Sequence, residues 1–147
     1  MGMPMMTPQK YRFSPQLWQD CEQYYLVNTE HYLSLQDTYQ VNVNLLLLAQ
    51  YLDQQALFFN QQQWESLTAC IELWENNVVQ PYRKLRRLTK PHMDSTEYEK
   101  MLNVELIMER KSQQMLLQRL NQLQADGDAS NINNYLSLFG LDETVVA

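Results

Sequence analysis

The chain has 147 residues, 45% hydrophobic and 19% charged, with a net charge of −6 and a pI near 4.8. That length suits one domain whose core needs no disulfide or metal staple, and the apolar share excludes wholesale disorder. The acidic balance argues against general nucleic-acid affinity, and only three glycines occur, none between Met3 and Asp126, which removes phosphate-cradling loops and nucleophile elbows.

Residues 1–11, rich in methionine and carrying Pro4 and Pro8, read as a flexible leader without the basic start and apolar run of a secretion signal. Ser14 and Pro15 predict a helix start, with serine as cap and proline at the first helical position. Leu17, Trp18, Cys21, Tyr24 and Tyr25 then recur at helical spacing. Thr29 is expected to cap a second helix, from Glu30 to Tyr39. Asn42 is expected to cap a third, from Val43 to about Gln55. Val43 and Leu45 to Leu48 wrap almost its whole circumference, which predicts a central position with Trp18, Trp64 and Trp74 around it. Its last turns, with Gln50, Asp53, Gln54 and Gln55, are expected to face water.

A fourth helix starts near Gln61 and carries the stripe Trp64, Leu67, Ile71, Trp74 and Val78. Pro81 is expected to kink or break it, and the pattern resumes through Tyr82, Leu85 and Leu88. Thr96 to Glu99 reads as a capping box for the longest helix, running to about Gln124 and stopped by Asp126-Gly127-Asp128. Its stripe Leu116, Leu120 and Leu123 is expected to pack on the last helix or, failing that, on a second copy. Ser130 caps that last short helix, which Gly140 ends, and residues 141–147 are expected to fray. The fold class is therefore all-α: a compact irregular bundle of five or six helices with one long helix in the C-terminal half, forming a single domain over 12–140.

Chemistry is sparse. Cys21 and Cys70 read as a reduced, buried pair, and the longest aliphatic run is far too short to span a membrane. Both point to a cytoplasmic protein. The two histidines, His31 and His92, do not follow a glutamate by three residues, which excludes a di-iron bundle motif. No catalytic, metal-binding or cofactor-binding residue is assigned, and no cofactor is expected.

Arg83, Lys84, Arg86, Arg87 and Lys90 hold five of the eleven basic residues. One reading is an anion site for phosphate, nucleic acid or an acidic partner. The other is internal pairing. Glu105 and Glu109 lie one turn apart among Leu102, Val104, Leu106, Ile107 and Met108. Like charges at that spacing repel unless cations meet them, which predicts an Arg83/Arg87 to Glu105/Glu109 ladder between antiparallel helices. Arg86 and Lys90 form a second pair on the basic helix. The glutamates also admit an acid–base pair in a cleft, the weakest reading. Adjacent aromatic residues, Tyr24-Tyr25 and Phe58-Phe59, cannot both face one core and so favour a partner-binding patch.

Three segments carry a resemblance: Leu35-Gln36-Asp37 with Val43-Asn44-Leu45-Leu46-Leu47, then Gln80 to Arg87, then Glu105 with Glu109-Arg110. Over roughly Phe13 to Gln124 the chain resembles a small family, mainly proteobacterial, known as domain of unknown function 2390. Relatives often carry a glycine where this chain has Tyr39-Gln40, and leucine where Tyr82 stands. The resemblance implies a compact cytoplasmic helical protein and brings no activity, cofactor or catalytic residue. The sequence therefore points first to a non-enzymatic interaction or regulatory module for another cytoplasmic protein, with a homodimer as the other arrangement. Phosphate or nucleic-acid binding through Arg83–Lys90 is second, and an enzyme using Glu105 and Glu109 third.

Overall fold

The computed structural model describes residues 12–146, so the leader expected at 1–11 lies outside the described residues. Its helices are α1 (Leu17–Val27), α2 (Thr29–Tyr39), α3 (Val43–Gln54), α4 (Gln61–Trp74), α5 (Gln80–Thr89), α6 (Ser95–Leu120) and α7 (Asn131–Leu136). A π-helical turn, Glu75–Val79, joins α4 to α5 without a break, so the described residues form six helical rods and no strand.

α3 is the buried centre. Leu45 to Leu48, Ala49 and Leu52 are all buried, and α1, α2 and α7 pack against the helix. Each buried leucine contributes about 1.5–3 kcal/mol of transfer free energy. Asn42 caps α3 by accepting from Leu45 N at 3.2 Å. Trp64 is buried and Trp18 packs on the core edge. Trp74 departs from expectation: it stands apart from this core, donating Nε1–H to Met108 O at 3.2 Å with Lys111 5.0 Å above its ring.

Several boundaries differ from the sequence reading. Thr29 is not the cap of α2; it lies inside the first turn, where its hydroxyl donates to Tyr25 O at 2.8 Å. The capping box of α6 is Asp94 with Glu97, not Thr96 with Glu99. α6 ends at Leu120, well before Gly127. Gly127 instead lets two backbone segments meet. Its N–H donates to Phe58 O at 2.9 Å, and a Cβ there would lie 2.6 Å from the backbone of Phe59 and Asn60. Gly140 does end the last helix, at φ 69°. The tail beyond it forms a 3-10 turn, Glu143–Val146, with Val145 and Val146 packed against the core.

Pro81 does not break its helix. The π turn widens the backbone ahead of it, and the Gln80 N–H reaches back five residues to Glu75 O. The wider turn absorbs the missing N–H and the ring that would otherwise strike the preceding carbonyl. Leu116 and Leu120 are fully buried on α6, whose main packing partner is α4, while α7 packs mainly on α3 and α4.

One polar knot pins α7 to this body. Asn131 is fully buried; its Oδ1 accepts from Phe59 N at 2.8 Å and Trp64 Nε1 at 3.2 Å, and its Nδ2 donates to Asp53 Oδ1 at 2.9 Å and Leu57 O at 2.8 Å. Asp53, expected to face water, also accepts from the Asn131 and Ile132 backbone N–H groups and so caps α7. The aromatic pairs are largely absorbed: Phe59 is buried, Tyr25 stacks on Tyr32 and Tyr24 donates to Gln54.

Candidate functional site

α6 is 26 residues long, about 39 Å. Its buried residues, Ser112, Leu116 and Leu120, all lie in the C-terminal half, and α5 has none. The N-terminal half of α6 and all of α5 therefore form an antiparallel hairpin arm beyond the main core.

The seam of this arm is polar. Arg83 Nε donates to Glu105 Oε1 at 3.1 Å, and Arg83 Nη2 closes on Glu109 Oε1. Arg86 Nη2 donates to the same Glu105 oxygen at 3.2 Å, and its Nη1 to the Tyr98 hydroxyl at 2.8 Å. Arg86 Nε lies 2.5 Å from Glu105 Oε2, but its N–H is not aimed along that line, so this third contact is an ion pair without a hydrogen bond. Tyr82 donates to Met101 O at 2.7 Å. Burial pulls the Arg86 guanidinium down, and the bonds to Glu105 and Tyr98 outweigh it, holding the group above its ordinary value. Desolvation pushes the Tyr82 phenol up, with Glu105 acting the same way and Arg86 against it.

Of the residues singled out by sequence, the structure thus brings together Arg83, Arg86, Glu105 and Glu109. Arg87 is exposed and makes no ion pair among the described residues. The rung partner is Arg86 because α5 turns its 82–86–89 side toward α6. Tyr82, Arg86 and Thr89 all bond across the seam, while Arg87 points away from it.

The arm's leucine, valine and isoleucine side chains are exposed. Leu88 is 65% exposed, Ile107 64%, Leu85 50%, Leu106 48%, Val104 41% and Leu102 40%, against 20% and 16% for the Arg83 and Arg86 side chains. Between the arm and the α1–α2 wall runs an open groove of about 1540 Å³. Leu102 and Leu106 line it on the arm side, Trp18, Tyr25 and Leu33 on the other.

The groove floor holds residues that sequence reasoning passed over. Asn44 Nδ2 donates to Glu109 Oε2 at 3.1 Å and Gln113 Nε2 to Asn44 Oδ1 at 3.3 Å. Glu75, on the π turn, is buried and accepts from Ser112 Oγ at 2.8 Å. A signal for it existed: Glu75 falls four residues after Ile71 on the apolar stripe of α4. The buried Tyr135 hydroxyl accepts from Asn42 N at 2.9 Å. Burial pushes its phenol well up, the Asn42 N–H opposes this, and the Glu75 charge adds to it.

Cys21 and Cys70 are free thiols. Among the described residues no group of three His, Cys, Asp or Glu side chains is arranged to hold a metal, and no helix is long and apolar enough to cross a membrane. Comparison with curated proteins and with solved structures gave no match. The family described as "Protein of unknown function (DUF2390)" matches residues 16–116, from the start of α1 through the arm and into the buried part of α6, and the chain belongs to that family.

Proposed function

We propose that this chain is a protein-interaction module without catalysis of its own, receiving a cytoplasmic partner along the groove beside the α5–α6 arm. The observation that carries the reading is the arm's inverted distribution: arginines in the seam, leucines and isoleucine exposed. Of these side chains Leu102 and Leu106 line the groove, and exposed apolar side chains are characteristic of surfaces that bind. The alternative of phosphate or nucleic-acid binding loses the two arginines that Glu105 and Glu109 occupy. An acid–base role for those glutamates is disfavoured by the same pairs, since each carboxylate already accepts a guanidinium.

The test is affinity capture from cells that produce the protein, using wild type and the double variant Leu102→Asp, Leu106→Asp. A protein retained at stoichiometric level by wild type and lost from the variant, with circular dichroism unchanged, supports the reading. Equal retention, or none, counts against it. Light scattering of the purified chain separates a homodimer from a heterologous partner.

A further inference from the structure

Glu75 is the one buried carboxylate among the described residues, at 5% exposure. Only half of it is occupied: Oε1 accepts from Ser112, while Oε2 meets no donor of the described residues. Of the cations that line the groove, Arg83 and Arg86 are committed to Glu105 and Glu109, and Lys84, Arg87 and Arg110 make no ion pair with Glu75. The amides of the groove bond elsewhere, Asn44 to Glu109 and Gln113 to Asn44. A charged oxygen shielded from water and left without a donor is costly. It sits on a π-helical turn, an irregularity concentrated at functional sites, and it lines the floor of the groove.

The size of the groove decides what class of occupant fits. Pockets for metabolites and drug-sized ligands run to about 300–1,000 Å³ and enclose most of the ligand. This groove exceeds them, at about 1540 Å³, and is partly open to solvent. Its walls offer Leu102 and Leu106, one helical turn apart, and Leu33 opposite, all at least 40% exposed. An amphipathic helix laid in an apolar groove reads such walls through anchors at helical spacing.

Resting on the interaction-module reading, we infer that the groove takes an amphipathic helix of a partner protein whose apolar face carries one lysine or arginine, and that this cation docks on Glu75 Oε2. The leucines of the walls supply contact area. Glu75 supplies selection, because a helix without the basic residue buries the bare carboxylate under apolar atoms. Docking requires the Glu75 carboxylate to turn from the floor toward the incoming cation while Ser112 keeps its bond to Oε1.

The experiment is selection from a displayed library of ~18-residue helical peptides randomised along one face, on wild type, Glu75→Gln and Leu106→Asp. Wild type is expected to enrich a basic residue at one fixed position between apolar anchors, and Glu75→Gln to enrich the anchors without it. A peptide selected on wild type should lose about tenfold in affinity when its basic residue becomes norleucine, and that swap should cost nothing on Glu75→Gln. Peptides that need Leu106 but show no basic preference on wild type would overturn the docking on Glu75 and leave the groove reading standing. Absence of selected peptides, or binding indifferent to Leu106→Asp, would overturn both. The norleucine swap on wild-type protein gives the answer even where Glu75→Gln alters folding.

Discussion

Arg83 reaches Glu105 through Nε at 3.1 Å, in the middle of the α5–α6 seam, and its guanidinium extends one turn further to Glu109. The three side chains keep 20%, 13% and 23% of their surface. Their bond is therefore worth more than an exposed pair and less than a fully desolvated one. Arg83→Ala should cost about 1–3 kcal/mol of stability, read by urea unfolding, and should speed amide exchange in α5 before the core. Arg87→Ala should stay within about 0.5 kcal/mol. Equal effects from the two arginines would show that the seam is not what holds the arm.

The knot at Asn131 supports a sharper expectation. Its side chain accepts from Phe59 N and the Trp64 indole in the buried core and donates to the half-buried Asp53 and Leu57 O. Asn131→Ala strands several of these groups at once. Unfolding should cost about 2–4 kcal/mol less than in wild type. A loss under ~0.5 kcal/mol would mean that those groups have other partners.

Gln40, in the link between α2 and α3, takes the left-handed conformation, φ 62° and ψ 24°. That conformation costs a side-chain-bearing residue about 1–2 kcal/mol, partly matched by the entropy glycine loses on folding. Gln40→Gly should raise stability by up to about 1 kcal/mol, and Gln40→Val lower it by about 1–2 kcal/mol. Denaturant melts that rank valine with or above glycine would contradict the strained link.

Alkaline pH should weaken the fold. Burial, with help from Asp20, pushes the Cys21 thiol up from 9.0 to about 12. Between those values the unfolded chain releases a proton that the folded chain keeps. Stability is present in full below about pH 9 and falls as pH rises toward 12, by at most about 1.4 kcal/mol per unit from this group. Burial raises Tyr32 and Tyr135 as well, adding in the same direction at higher pH. Urea unfolding at about pH 8 and about pH 10.5 should show the drop, and Cys21→Ala should reduce it. An unchanged drop in that variant would assign the alkaline loss elsewhere.

Much of the fold is legible in the sequence because its signals are local. The caps at Asn42 and Ser130, the all-round apolar α3 and the stop at Gly140 each depend on residues within a turn of one another. The parts that are not legible depend on distant contacts. Nothing near Gly127 in sequence announces the backbone of Phe59 and Asn60 against it, and nothing near Asp53 announces the N-terminus of α7. Scarcity of glycine does not prevent tight links; Gln40 and Ala56 adopt positive φ instead. At the site, spacing identifies Glu105, Glu109 and Arg83. The choice between Arg86 and Arg87 turns on the rotation of α5 set by the π turn, which a helical wheel broken at Pro81 cannot supply. Glu75, Ser112 and Asn44 are each visible as polar residues on apolar stripes, where they read as breaks in the pattern.

The central claim, arginines inside the arm and leucine, valine and isoleucine side chains exposed, is tested most directly by labelling the native protein with phenylglyoxal and reading each arginine by mass spectrometry. Arg87 and Arg110 should react at the rate of exposed guanidinium groups, and Arg83 and Arg86 at least about tenfold more slowly. Labelling of Arg83 and Arg86 as fast as Arg87 would contradict the account.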